Sequence, residues 1–385
     1  MSGLRPEIDP DGLLEYSVVF TDRSLNHMSQ AFQHVMREIH ATLCEAYGAD
    51  RAVVIPGGGT YAMESVARQF ATGQTALVIR NGFFSYRWSQ IFEAGAIPAR
   101  EIVLKARRAA GSNDPQAPFS PAPIAEVVAA IHRERPAAVF APHVETASGM
   151  ILPDDYIRAV ADAAHEVGAL FVLDCIASGT VWVDMAASGV DVLISAPQKG
   201  WSAPPSSGLV MLNAAALERA KDAQSTSFAM DLTKWNAIME AYLGGGHAYH
   251  ATMPTDALRA FHKAMLETKA FGFGKARDAQ WEQGRAVRRM LEQRGVKSVA
   301  AEGFQAPGVV VSYTTDPEIQ NGKKFAAQGL QIAAGVPLQC DEGADYRSFR
   351  LGLFGLDKLQ DVPASLTRLE HAFDTVLGRA GNAQP

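Results

Sequence analysis

Short apolar runs alternate with helical patterns through the first half of the chain. Runs of this kind are typical of strands buried on both faces, and helical stretches between them favour parallel pairing. The pattern therefore predicts an α/β fold in which seven mostly parallel strands form one sheet between helices. The seven runs are Ala52–Ile55, Ala76–Ile79, Ile102–Leu104, Ala137–Ala141, Leu170–Leu173, Val190–Ile194 and Leu209–Leu212.

The segments around this sheet have their own patterns. From about Asn26 to Asp50, apolar residues recur at spacings of three and four, which predicts an amphipathic helix. The first 20 or so residues have no sustained period and are predicted to form an irregular arm. The stretch Ala110–Pro123, rich in Pro, Ser and Ala, is predicted to be a surface loop.

The pattern changes after about Thr255. A long helical pattern runs from there to about Arg294 and predicts a connector helix. Shorter elements follow, and they predict a smaller C-terminal α+β domain. The predicted division is therefore an arm (1–20), a large domain (21–260) and a connector helix with the small domain (261–385). The shorter elements are strands at Gly308–Tyr313 and Phe349–Leu353 and helices at Lys323–Gly335 and Val362–Leu377.

Composition excludes several classes of protein. The net charge of −6 gives no electrostatic reason to expect a nucleic-acid partner. Three cysteines, Cys44, Cys175 and Cys340, form no disulfide framework or CxxC motif and are predicted to be small buried side chains. The N-terminus lacks the pattern of a signal peptide, and no apolar stretch approaches the roughly 18 residues of a membrane helix. These features predict a cytoplasmic protein with no membrane partner.

A glycine-rich turn follows the first predicted strand. In an open α/β sheet, ligands bind beyond the carboxyl ends of the strands. Gly57-Gly58-Gly59-Thr60 stands at such an end and opens a helical pattern, so backbone N–H groups and the helix dipole there suit a phosphate. A tight strand-to-helix turn without a ligand explains the same residues equally well. The sequence is neither a Walker motif nor GxGxxG, so ATP or NAD binding is not supported.

Two charged residues follow later strands. Asp174 ends the run Leu170–Leu173, where a buried carboxylate needs a cationic partner, although a turn or helix cap is also compatible. Lys199 follows Val190–Ile194 in a setting of small and apolar residues, where a desolvated amine becomes a nucleophile. A solvated loop lysine is the alternative interpretation.

Together, the turn, the carboxylate and the lysine are the parts needed to hold pyridoxal phosphate. The turn binds the phosphate, the carboxylate keeps the pyridine nitrogen protonated, and the lysine forms the Schiff base. We assign no metal ligand from the sequence.

With these features the chain resembles the class V aminotransferases of the fold-type-I pyridoxal-phosphate superfamily. This family includes the alanine–glyoxylate, serine–pyruvate and 2-aminoethylphosphonate–pyruvate aminotransferases. The resemblance runs from about His27 to about Gly355 and rests on several motifs in the family's order. The motifs are Gly57-Gly58-Gly59-Thr60, Asn81-Gly82-Phe83-Phe84, His143-Val144-Glu145-Thr146-Ala147-Ser148-Gly149, Asp174, Gln198-Lys199, Tyr249-His250-Ala251-Thr252-Met253-Pro254 and Phe349-Arg350-Leu351-Gly352. Many members also carry an N-terminal Pro-Gly-Pro segment, which Leu14–Thr21 replaces here.

The resemblance implies a role for each matching residue. Lys199 and Asp174 would be catalytic, as Schiff-base lysine and partner of the ring nitrogen. Arg350 would bind the substrate carboxylate. Tyr249 and Thr252 would bind the phosphate of the partner subunit's cofactor, which implies a homodimer with shared active sites. The remaining cofactor contacts would be Gly58, Gly59, Thr60, Phe84, Thr146, Ile176 and Gln198.

The implied activity is transfer of an amino group from an amino acid or similar amine to a small 2-oxo acid such as glyoxylate or pyruvate. A lyase acting on an amino acid is the alternative with the same cofactor. Desulfurases of the superfamily usually have His before the lysine and His over the ring, where this chain has Gln198 and Phe84. A non-catalytic binding protein is a third possibility, and the presence of Lys199, Asp174 and Arg350 disfavours it.

Overall fold

A computed structural model describes residues 7–108 and 114–379 of the chain. Fourteen helices and fourteen strands lie within these residues. The helices are α1 Gln30–Tyr47, α2 Gly59–Phe70, α3 Phe83–Gly95, α4 Ile124–Glu134, α5 Asp154–Glu166, α6 Met185–Ser188, α7 Ala214–Asp222, α8 Leu232–Leu243, α9 Thr255–Phe271, α10 Phe273–Glu292, α11 Pro317–Gln320, α12 Lys323–Ala326, α13 Leu356–Gln360 and α14 Val362–Val376. The strands are β1 Arg51–Pro56, β2 Thr75–Arg80, β3 Arg100–Lys105, β4 Arg107–Arg108, β5 Phe119–Ser120, β6 Ala138–Pro142, β7 Val144–Glu145, β8 Met150–Ile151, β9 Leu170–Asp174, β10 Val192–Ser195, β11 Ser207–Leu212, β12 Val309–Tyr313, β13 Ala333–Ala334 and β14 Ser348–Gly352.

The predicted seven-stranded sheet is confirmed. Its strands follow the order β1-β11-β10-β9-β6-β2-β3, and each of the seven apolar runs contributes one of them. Strand β11 pairs antiparallel with both β1 and β10, while the other pairings in the sheet are parallel. The apolar runs are continuous because helices cover both faces of this sheet.

The sheet brings the carboxyl ends of its parallel strands to one edge. Asp174 at the end of β9 pairs in register with Ile194 of β10 on one side and with Pro142 of β6 on the other. The segments that leave β6, β9 and β10 therefore start beside one another. Strands β1 and β2 end on the same edge, and their following turns open helices α2 and α3.

The predicted connector helix is wrong in one respect. The pattern from Thr255 to Arg294 predicts one helix, but α9 ends at Phe271 and α10 begins at Phe273. Gly272 between them has φ 101°, in the region that favours glycine, so the helical hydrogen bonds cannot continue through it. Two packed helices replace the single long one.

The C-terminal elements form a second sheet with its own core. Strand β14 lies between β12 and β13 and pairs antiparallel with both. Side chains of α10, α12, α14 and this sheet pack around Phe325, Phe349 and Phe373, all buried. This agrees with a small α+β unit after the large sheet, while the predicted boundaries at 20 and 260 stay predictions.

Two further sequence predictions need correction. Lys323–Gly335 is predicted to be a helix, but only Lys323–Ala326 is helical, and β13 follows because its residues pair with β14. The predicted surface loop Ala110–Pro123 contains β5, whose Phe119 is buried and donates its backbone N–H to Val299 O. Residues 110–113 of that loop lie outside the described residues.

The three cysteines differ in burial. Cys175 and Cys340 are buried as predicted, but Cys44 in α1 is only half-buried. Among the residues the structure describes, no helix is long and apolar enough to cross a bilayer.

Candidate active site

A cavity of about 150 Å³ opens at the carboxyl edge of the large sheet. Segments from five strand ends meet around it, as the topology requires. Eight of the residues predicted from the sequence line this cavity. They are Gly59, Thr60, Phe84, Thr146, Asp174, Ile176, Gln198 and Lys199, and Met63, Arg87, Pro142, Val144 and Ala177 complete the lining.

The N-terminus of α2 forms one part of the wall. Its cap residue Gly58 makes no side-chain hydrogen bond, so N–H groups of the first turn remain available to a ligand. Thr60 Oγ1 accepts a hydrogen bond of 3.1 Å from Arg87 Nη1 of α3. The helix dipole, the hydroxyl and the guanidinium together suit an anion. Gly58 itself supports the site as the cap residue and does not line the cavity.

Asp174 is a buried carboxylate that accepts few hydrogen bonds to offset the cost of its burial. Its Oδ1 accepts a hydrogen bond of 2.9 Å from Ile176 N. Burial raises its pKa to about 7, and the nearby Glu145 also raises it, whereas that hydrogen bond and the charges of Arg87 and Lys199 lower it. A cation placed against Asp174 would stabilise its ionised form and lower this pKa.

Lys199 lies in a tight turn after β10. The next residue, Gly200, packs so closely on the loop after β9 that a Cβ there would lie 1.9 Å from Gly179 O. Trp201 anchors the turn from the other side, fully buried with its ring centroid 4.6 Å from that of Trp182. Close packing on both sides therefore fixes the backbone that carries Lys199.

The Lys199 amine is held among apolar and cationic groups. Burial lowers its pKa, Asp174 raises it, and Arg350 and Arg87 lower it. Its Nζ lies 5.4 Å from the ring centroid of Phe354, which comes from the C-terminal part of the chain. A lowered pKa increases the fraction of neutral, nucleophilic amine.

Glu145 organises the start of α3 from inside the protein. Its side chain is completely buried, and Oε1 accepts hydrogen bonds from Phe84 N (3.1 Å) and Ala147 N (2.9 Å). Its Oε2 accepts from Ser85 N (2.8 Å) and Ser85 Oγ (2.6 Å). Glu145 thus joins the loop after β6 to the helix that carries Phe84 and Arg87.

Phe84 stands beside two guanidinium groups. The Cζ of Arg87 lies 5.1 Å from its ring centroid, and the Cζ of Arg350 lies 5.4 Å from it. Arg350 comes from β14, the central strand of the small sheet, and its Nε donates to Ala334 O at 2.7 Å. Arg350 therefore lies against Phe84, which lines the cavity, but Arg350 is not itself one of the lining residues.

Tyr249 and Thr252 are not brought to this cavity. Their hydroxyl oxygens lie 3.1 Å apart, and the Tyr249 side chain is half exposed, with its ring 5.6 Å from that of His27. Within the described part of the chain, neither residue lines the cavity of its own subunit.

Sequence reasoning missed the roles of three residues. Glu145 stood inside a recognised motif, but nothing in the motif showed that its carboxylate caps α3. Arg87 received no role from the sequence, because its bond to Thr60 depends on how α2 and α3 pack. Phe354 carried no signal at all, because its contact with Lys199 joins distant parts of the chain.

Removing the negative charge of Glu145 should destabilise the protein. In Glu145→Gln, an NH2 group replaces one oxygen, so two of its donors lose their acceptor inside the protein. We expect a loss of about 2–4 kcal/mol in the free energy of unfolding, measured by urea denaturation. Glu93→Gln, at an exposed position of α3, is the control and should change that free energy by less than about 0.5 kcal/mol. Equal stability of Glu145→Gln and wild type would contradict the capping role.

The pH dependence of stability should report on Asp174. In protein stripped of bound small molecules, the folded state keeps the Asp174 proton up to about pH 7, whereas the unfolded state loses it near the ordinary pKa of 3.8. Between these values the contribution of Asp174 to stability should fall with rising pH by about 1.4 kcal/mol per unit, and it should change no further above pH 7.

The Asp174→Asn variant cannot ionise at this position and should gain stability relative to wild type as the pH rises from 4 to 7. Urea unfolding at a series of pH values measures this difference. Asp162→Asn, at an exposed position of α5, controls for the loss of one carboxylate. Parallel stability curves for wild type and Asp174→Asn would show that the carboxyl group ionises as it does in water.

Known proteins share both the sequence pattern and this fold. Residues 13–302 match the model of the family described as aminotransferase class-V. A 2-aminoethylphosphonate–pyruvate transaminase of Vibrio cholerae is 28% identical over 346 residues, which cover 88% of each protein.

Solved structures agree in fold. The structure of an alanine–glyoxylate aminotransferase from Nostoc sp. superposes with a TM-score of 0.74 at 20% identity, covering 90% of this chain and 88% of that one. A pyridoxamine–pyruvate aminotransferase from Mesorhizobium loti gives 0.76 at 17% identity, covering 92% of this chain and 87% of the other. Since the family match spans well over half of its residues, the chain belongs to the class-V aminotransferases and is a transaminase of fold type I.

Proposed function

We propose that this aminotransferase uses pyridoxal phosphate and passes an amino group from an amino acid or similar amine to a small 2-oxo acid such as pyruvate or glyoxylate. One observation carries the proposal. An anion site, a buried carboxylate, a buried amine and an aromatic ring all face one cavity. The names of the relatives support the choice of acceptor, because they pair their amino donors with pyruvate or glyoxylate.

The donor set fits the cofactor group by group. The first turn of α2, with Gly58, Gly59 and the Thr60 hydroxyl, would hold the phosphate together with Arg87. Gln198 and Thr146 would add polar contacts, and Phe84 and Ile176 would cover the ring faces. Asp174 needs a cationic partner, and a protonated pyridine nitrogen is one. Pyridoxal phosphate supplies an aldehyde and an electron-withdrawing ring to such a site.

Lys199 and Asp174 would have different roles in the reaction. Lys199 would hold the cofactor covalently, since burial keeps a larger share of its amine neutral. Once displaced by the donor amine, Lys199 Nζ would take the proton from the α-carbon of the substrate as general base and later return one as acid. Asp174 would keep the ring nitrogen protonated throughout.

Arg350 would orient the substrate. Its Nε donates a hydrogen bond to Ala334 O, which holds the guanidinium in place. The two terminal NH2 groups would then be the donors to a substrate. A guanidinium of this kind matches a carboxylate with two parallel hydrogen bonds. Held this way, the α-carbon of an amino acid would stay within reach of Lys199.

The reaction is tested by replacing Lys199. Purified protein with pyridoxal phosphate should convert pyruvate or glyoxylate to the corresponding amino acid with at least one donor from an amino-acid panel. Lys199→Ala should lower kcat by at least about 100-fold, because the general base is lost. Lys234→Ala, an exposed lysine of α8, is the control and should leave kcat unchanged. Release of ammonia or sulfide in place of a new amino acid would favour the lyase alternative and overturn amino transfer.

We infer in addition that two chains share their active sites in a homodimer. The hydroxyls of Tyr249 and Thr252 lie 3.1 Å apart on the surface, and neither residue lines the described cavity, which supports a role toward a partner's phosphate. The cytoplasmic location expected from the sequence stays a prediction.

Complementation between two inactive variants tests the shared site. Tyr249→Phe and Lys199→Ala subunits, mixed or co-expressed, should form mixed dimers in which one site has both its lysine and its tyrosine. Random pairing should restore roughly a quarter of the sites. An active monomer by light scattering, or verified mixed dimers that stay inactive, would contradict this arrangement.

A further inference from the structure

Helices α1 and α9 pack side by side, and three side chains with metal-binding groups meet between them. His34 and Glu38 belong to α1, and His262 belongs to α9. None of the three lines the cavity described above. His34 and Glu38 are four positions apart, so they lie on the same face of α1.

The three groups converge on one point. Each residue offers one ligand atom, and these atoms all lie within 4.8 Å of one another. Glu38 Oε2 and His262 Nε2 are 3.4 Å apart, and the rings of His34 and His262 meet edge to face with centroids 5.9 Å apart. His262 is largely covered, with 12% of its side chain exposed, whereas His34 reaches the surface.

This donor set is one that zinc uses. Two imidazoles and a carboxylate bind Zn²⁺ at about 2.0–2.2 Å, which for tetrahedral geometry puts the ligand atoms about 3.4 Å from one another. The distance between Glu38 and His262 already has this value. Binding would require the exposed His34 side chain to move closer, from a starting arrangement in which all three ligand atoms lie within 4.8 Å of one another. His34 and Glu38 are both exposed to solvent at least in part, so a water molecule would supply the fourth ligand.

We propose that His34, Glu38 and His262 bind a divalent cation of the zinc type that clamps α1 to α9. The competing explanation is a histidine–glutamate ion pair without a metal. His132 and Glu166 make such a pair elsewhere on the surface, at 2.8 Å. Within the described residues, only the group on α1 and α9 adds a third ligand.

The place of the site in the fold suggests what the cation does. Helix α1 begins at Gln30, two residues after Met28, and α9 begins at Thr255, three residues after Thr252. A cation between α1 and α9 would link the two helices that follow these residues. Its effect is on stability, because the cation binds the folded arrangement and has no comparable site in the unfolded chain.

Zinc binding is measured on untagged holoenzyme that has been treated with a chelator and then dialysed. Titration with ZnCl2 followed by calorimetry should give one site per chain, and zinc should raise the midpoint of thermal unfolding. His34→Ala and His262→Ala should each weaken binding by at least roughly 100-fold, since losing a supporting partner of a ligand alone costs up to that much. His132→Ala, which removes a histidine from a two-residue pair, should bind zinc as wild type does.

Cobalt gives a second readout that does not depend on activity. Co²⁺ in place of zinc should show the visible absorption of a four-coordinate ion, and Glu38→Gln should abolish or shift that band. His34, Glu38, His132 and His262 are all at least partly exposed, so the variants should fold. Failure of wild type to bind zinc, or equal binding by wild type, His34→Ala and His262→Ala, would overturn the proposal and leave the ion pair as the explanation.

Discussion

Parallel pairing is the constraint on which this structure depends. Parallel strands run in one direction, so their carboxyl ends meet on one edge, and each connection must cross back over a face of the sheet. Five turns thereby start from neighbouring positions, although they are far apart along the chain. Asp174 and Lys199 line one cavity because β9 and β10 are adjacent and in register.

Two buried carboxylates at this edge differ in how many hydrogen bonds they accept. Glu145 accepts four hydrogen bonds and serves as a cap that holds α3 in place. Asp174 accepts one from a described residue, and its pKa is raised to about 7. The difference lies in the number of donors and not in the depth of burial. A satisfied carboxylate stabilises the fold, whereas an unsatisfied one retains the capacity to bind a cation.

The small sheet completes the site from outside the large one. Arg350 and Phe354 belong to the C-terminal part of the chain, yet they approach Phe84 and Lys199. Movement of the small sheet relative to the large one would therefore change the distance between Arg350 and Lys199 directly. The site is sensitive to how the two sheets pack as well as to its own residues.

Apolar patterning is enough to predict the seven strands of the large sheet and their mostly parallel pairing, but not the short strands β4, β5, β7, β8 and β13. Position after the strands, together with the family resemblance, identifies most of the residues around the cavity. Buried parallel strands are continuous apolar runs, and the residues after them are necessarily at the ligand edge, so this information is local. Gly59, Thr60, Asp174 and Lys199 could be identified in this way, and the resemblance to a family extended the set to Phe84, Thr146 and Gln198. The break at Gly272 was not predictable from apolar spacing, because the spacing continues across it.

Which side chains meet across elements depends on tertiary packing. The bond between Arg87 and Thr60, the capping of α3 by Glu145 and the contact of Phe354 with Lys199 each depend on how separate elements pack. The same holds for His34, Glu38 and His262, since Glu38 and His262 are 224 positions apart and no local pattern links them. Hydrophobic periodicity records which face of an element is buried, but it does not record the partner against which that face packs, and contacts between polar side chains depend on the partner.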